Sequence, residues 1–131
     1  MSITNNKPSY TLQTNGSSYE DRDLSVAGFA DYLNHFSTEY WDFMTLSPNV
    51  PIKGSGFIQV GSPDAKTDYK MTVEIGFPKQ KGVELYRYYT DNKEEVLRIF
   101  KDYYIEQKIP NYKKWENVSK ELKNRKPRRF L

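Results

Sequence analysis

Residues 69–77 alternate without a break. Tyr69, Met71, Val73, Ile75 and Phe77 fall on one side, and Lys70, Thr72, Glu74 and Gly76 on the other. A period of two over nine residues marks a β-strand, because successive side chains point to opposite faces of the pleat. The same residues on a helix would scatter around its circumference. The pattern predicts an antiparallel sheet strand with one buried and one wet face. After Pro78-Lys79-Gln80-Lys81-Gly82 the segment Val83 to Tyr89 returns, with Val83 and Leu85 on one face and Tyr86 and Tyr88 on the other. The five-residue connection makes the pair a hairpin.

Two stretches carry the helical period instead. In Leu24 to Phe36, Val26, Phe29, Ala30, Leu33 and Phe36 share a face, and Ser25 is placed to cap the N-terminus. In Asn92 to Gln107, Val96, Leu97, Phe100, Tyr103 and Tyr104 form the stripe. Asp91 and Glu94 resemble a capping box, and Glu94 and Glu95 lie where the helix dipole favours anions. From Pro110, the spacing of Tyr112, Trp115, Val118 and Leu122 predicts a last helix. Tyr40 to Leu46 and Phe57 to Val60 read as further strands, separated by Pro48, Pro51 and Gly54-Ser55-Gly56. The expected fold class is α+β. An antiparallel sheet of three to four strands carries one N-terminal and two C-terminal helices, packed mainly on one face. Residues 1–22, rich in Ser, Thr and Asn with an Asn15-Gly16 turn, read as a weakly ordered segment; Tyr10 to Gln13 would allow a short edge strand, which is not counted in the expected sheet. Residues 23–122 read as one domain and residues 123–131 as a basic tail.

With 131 residues, the chain is long enough to bury about two-thirds of its unfolded surface without a staple. It has no cysteine, which excludes disulfides, thiolate metal sites and cysteine nucleophiles. The N-terminus lacks the apolar stretch of a signal peptide, and no run approaches the roughly 18 apolar residues of a membrane span. The expected compartment is the cytoplasm, with no membrane partner. The net charge of +3 hides two opposed blocks. Residues 20–42 carry Glu20, Asp21, Asp23, Asp31, Glu39 and Asp42 against Arg22, a net of −5. Residues 120–131 carry Lys120, Lys123, Arg125, Lys126, Arg128 and Arg129 against Glu121, a net of +5. The body is near neutral, so nucleic-acid contact, if any, belongs to the tail.

Chemistry-bearing side chains are few. His35 is the only histidine, and it reads as a helix C-terminal residue favoured by the dipole. No serine sits in a Gly-x-Ser-x-Gly elbow, and Gly54-Ser55-Gly56 lacks the lysine of a P-loop. Asp21 and Asp23 lack the glycine and distal glutamate of a calcium loop. Glu74, with Glu84 across the hairpin, has the residue types of a glycosidase pair. Lys70, Lys79, Lys81 and Arg87 make a cross-strand charge pattern the better account. No catalytic residue, cofactor or metal is expected. The aromatic content is high, with 11 Tyr, 7 Phe and 2 Trp, which suits a thin core or an interaction face.

The stretch Tyr88-Tyr89-Thr90-Asp91-Asn92-Lys93-Glu94-Glu95-Val96-Leu97-Arg98-Ile99-Phe100-Lys101-Asp102-Tyr103-Tyr104, followed by Pro110-Asn111-Tyr112-Lys113-Lys114-Trp115, resembles the end of small bacterial immunity proteins that neutralise polymorphic toxins. There a sheet strand leads into a capped helix, a loop and a tryptophan. The resemblance covers about a third of the chain and implies a protein partner. The leading expectation is therefore a non-catalytic protein-binding domain with a toxin-neutralising role. Its candidate contacts are Asp21, Asp23, Asp31, Glu39, Asp42, Tyr86 and Tyr88. One alternative is a nucleic-acid-associated accessory protein acting through Lys120, Lys123, Arg125, Lys126, Arg128 and Arg129. Another is a small-ligand or catalytic domain with a pocket between sheet and helices.

Overall fold

The computed structural model describes residues 7–36, 42–62 and 69–123. Along the chain come β1 (Tyr10–Thr14), β2 (Ser17–Glu20), α1 (Val26–Asn34), β3 (Phe43–Pro48), β4 (Phe57–Gly61), β5 (Met71–Lys79), β6 (Gly82–Thr90), α2 (Lys93–Ile105) and β7 (Glu116–Asn117). Short 3-10 turns occupy Asp21–Asp23, Tyr112–Lys114 and Ser119–Lys123. The strands form one antiparallel sheet in the order β2-β1-β3-β4-β5-β6-β7.

The α+β class and the antiparallel sheet agree with the sequence, but the expected three to four strands become seven and the three helices become two. Two of the added strands, β1 and β2, lie within residues 1–22. Tyr10, Leu12 and Thr14 are buried while Thr11 faces out, so half of this polar-looking stretch is core. Gly16, at φ 94°, supplies the left-handed turn between them. The Tyr10 hydroxyl donates to the Tyr103 carbonyl at 2.8 Å, and its ring meets Tyr104 edge-on at 5.1 Å. One side chain thus ties the N-terminal hairpin to α2.

The third added strand, β7, replaces the expected last helix. A helix would hold Tyr112, Trp115 and Val118 on one side of the sheet. Their partners lie on both sides. Tyr112 packs on Phe77 and Tyr86, with centroids 4.7 Å from each, and Trp115 stacks on Tyr88 at 5.3 Å. Val118 instead joins Leu85 and Phe57 on the opposite face. The chain must pass around the β6 edge to satisfy both, and it does so extended, pairing Tyr86 with Asn117 and Arg87 with Glu116.

The two α-helices are where periodicity placed them. Ser25 caps α1 by accepting from the Gly28 N–H at 3.0 Å. At α2 the cap is Asn92, which accepts from the Glu95 N–H at 3.1 Å, rather than Asp91. Asp91 accepts from the Lys70 N–H instead, joining the two hairpin ends. Phe29, Leu33, Val96, Phe100 and Tyr103 press onto Met71, Val73, Ile75 and Phe77 to make the main core.

The expected wet face of β5 is also a correction. Thr72 and Glu74 are buried, and Gly76 is covered by the ring of its cross-strand partner Phe57. A Cβ at 76 would collide with that ring. Glycine is required there for close packing, not for backbone freedom. The turn is shorter than expected too. Strand pairing continues to Lys79 and Gly82, and Gly82 at φ 92° closes the turn.

Candidate functional site

The strand β2 ends the sheet, and among the described residues its outer edge pairs with no other strand. Its four residues are exposed, with Tyr19 41% accessible. Between this hairpin and α1 lies a hollow of about 210 Å³, lined by Tyr19, Asp23, Leu24, Asp31 and Tyr32 among others. The hairpin and the 3-10 turn bring Asp23 to one side, and the first two turns of α1 bring Asp31 and Tyr32 to the other. Burial pushes the Tyr32 phenol above its ordinary range, and the nearby Asp42 carboxylate adds to the effect. Asp42 is half-buried beside β3.

The other acidic candidates have different roles. Asp21 accepts from the Tyr10 N–H at 2.9 Å and so caps the start of β1. Glu20 pairs with Arg22 at 3.1 Å on the surface. His35 closes α1, its Nδ1 2.9 Å from the Asp31 carbonyl oxygen, in keeping with a helix-end residue. Glu39 lies outside the described residues.

Tyr86 and Tyr88 sit half-buried beneath the helix-side layer rather than on an open face. The register pairs Ile75 with Tyr86 and Val73 with Tyr88, so both rings share the side of β5 that builds the main core. The Tyr86 hydroxyl donates to Glu84 at 2.9 Å, and that bond, with burial second, raises its pKa. Burial raises Tyr88 first, and the Glu95 carboxylate, 3.2 Å from its hydroxyl, adds to it.

The opposite face holds a row of polar groups: Glu74 and Arg87 do pair across the hairpin, as the charge pattern predicts, but both are buried. Thr45 donates to Gln59 at 2.6 Å, Gln59 donates to Glu74 at 3.0 Å, and Arg87 donates to Glu74 through Nε at 2.8 Å. Arg87 also meets Glu121 at 3.0 Å, from the C-terminal 3-10 turn. Register explains the row, since Thr45, Gln59, Glu74 and Arg87 are successive cross-strand partners. Glu84 pairs with Phe77, not Glu74, so the two carboxylates do not form a catalytic pair. Burial works against the Arg87 charge, but Glu74, together with bonds to Glu121 and Tyr89, raises its pKa above the ordinary value. Among the described residues no buried side-chain polar atom lacks a hydrogen-bond partner, as a structural network requires. The visible signal is Glu74 on β5 with Arg87 across from it on β6; nothing in the sequence marks Gln59 or Glu121.

Of the basic run, Lys120 is exposed and Lys123 ends the 3-10 turn, while Arg125, Lys126, Arg128 and Arg129 lie outside the described residues. Among the described residues no cluster of His, Asp or Glu has metal-holding geometry. None of their helices is long and apolar enough to cross a membrane. A second concavity, of about 430 Å³, opens between α2 and the returning segment that replaces the expected helix, with Tyr88 and Trp115 in its lining. Compared with protein-family models, with curated proteins and with solved structures, the chain matches none.

Proposed function

We propose that the protein is a non-catalytic protein-binding domain whose β2 edge and acidic hollow engage a basic segment of its partner. The observation that carries this reading is the meeting of an open strand edge, the exposed Tyr19 ring and the Asp23 and Asp31 carboxylates at one corner. An open edge offers backbone hydrogen bonds to an added strand, and the pockets beside it select its side chains. Carboxylates around the hollow favour Lys or Arg there and speed encounter with a basic surface. A toxin-neutralising role is the finer form of this reading. It is supported by the resemblance of residues 88–115 to immunity proteins and by the acidic character of the corner, which suits a partner evolved to grip nucleic acid.

A photo-cross-linking amino acid in place of Tyr19, in the native cell, tests the reading. One discrete adduct is expected, absent from a control at exposed Glu94 and lost when Asp23 and Asp31 are both changed to Lys. Equal labelling at the two positions would sink the reading.

A further inference from the structure

The 430 Å³ groove has the size of a small-molecule site. Its floor is the Tyr88 ring of β6 stacked on Trp115, with planes 15° apart. One wall is α2, where Glu95, Arg98 and Asp102 recur at helical spacing and face the opening. The other wall is the returning segment, which presents Lys108, Pro110 and Lys114.

The charges are not scattered at random. The helix wall carries both carboxylates with Arg98 between them, and the opposite wall carries both lysines. Arg98, Lys108 and Lys114 are exposed and form no ion pair with a carboxylate among the described residues. Glu95 accepts from the Tyr88 and Thr90 hydroxyls, which fixes it where the helix wall meets the floor. The groove therefore has both carboxylates on the helix wall beside Arg98, cations without carboxylates on the opposite wall, and aromatic surface between them.

We infer that this groove binds a small planar ring that carries an anionic group at one end and an N–H donor at the other. The ring lies on the aromatic floor, the anion meets Lys108 and Lys114, and the donor meets Asp102. Two kinds of molecule share this chemistry: indole-bearing amino acids such as tryptophan, whose ring N–H is the donor, and nucleoside monophosphates. The inference is independent of the acidic corner and would stand if that reading failed.

The test is an NMR titration of the full-length 15N-labelled chain with tryptophan and with AMP. Indole, adenosine and inorganic phosphate each supply part of the ligand as controls. Saturable shifts confined to residues 95–102 and 108–115 are expected for tryptophan or AMP, with Kd at or below about 1 mM. Whichever of the two saturates names the source. Each matching control should bind about tenfold more weakly, because it lacks the charge-assisted bonds or the ring. Lys108→Glu with Lys114→Glu should weaken the anion-bearing ligand about tenfold, and these exposed positions leave the fold intact. No saturable shift with either compound, or equal binding of a control, would overturn the inference.

Discussion

On one side of β5, Met71, Val73, Ile75 and Phe77 meet the rings and aliphatic chains of α1 and α2. On the other side, Thr72, Glu74 and Gly76 are also out of water, but their neighbours are Gln59, Arg87 and the Phe57 ring. The helix face is held by apolar contact, in which each fully buried side chain contributes about 1.5–3 kcal/mol and many repackings are tolerated. The opposite face is held by a chain of specific hydrogen bonds, where the loss of one member strands the next. Two sides of one strand can therefore be equally buried and respond differently to the same kind of substitution.

The sharpest way to break this contrast is at Arg87. Arg87→Ala should cost about 3–5 kcal/mol in denaturant unfolding, because it removes the guanidinium that pairs with buried Glu74. The double change Glu74→Gln with Arg87→Met should recover most of that loss. If the double variant is no better than the single one, packing rather than charge pairing holds this face.

Gly76→Ala is next. The added methyl must displace Phe57, and about 1–3 kcal/mol of destabilisation is expected. The companion Phe57→Leu should relieve part of it. A neutral Gly76→Ala would show that the ring is not seated on the glycine.

Tyr103→Phe tests one buried hydrogen bond on the helix face. The Tyr103 hydroxyl lies 2.9 Å from buried Ser55 Oγ, so its removal should cost about 1–2 kcal/mol. Burial also raises the Tyr103 pKa strongly, with the Ser55 bond opposing it only in part. Below the ordinary phenol pKa of about 10, both folded and unfolded chains keep this proton. Above it the unfolded chain releases the proton while the folded chain retains it, so stability falls as pH rises. Tyr103→Phe should flatten the decline in Tm above about pH 10 relative to the parent chain.

The smallest effect belongs to Glu121, whose side chain is 45% exposed at the outer end of the polar row. Glu121→Gln should cost less than about 1 kcal/mol. It should also raise hydrogen exchange at Leu85 and Val118, where Ser119 and the Val118 N–H fasten the turn to β6. Unchanged exchange there would mean that Ser119 and Val118 hold the turn without Glu121.

The acidic corner and the groove differ in how far the sequence foretold them. The charge block at residues 20–42 was plain, but Asp21, Asp23 and Asp31 look alike in a sequence. Only the packing of the hairpin against α1 separates the cap from the two that line a hollow. Tyr86 and Tyr88 lie on the face opposite Leu85, as their alternation predicts, but that face is not open: their rings pack against the main core. The groove exists because residues 108–115 follow an irregular path with a single 3-10 turn at Tyr112–Lys114, where a helix was expected from Pro110.

Period and punctuation alone determined β5, β6, α1 and α2, because each buries a continuous stripe that local spacing records. They also determined the acidic block and the lack of cysteine chemistry. Tertiary structure decided what spacing cannot record: that Tyr10 and Leu12 belong to the core, that both faces of β5 are covered, and that Val118 lies across the sheet from Trp115. Each of these depends on partners far away in the chain, and a residue's spacing from its neighbours carries no information about a surface supplied from elsewhere.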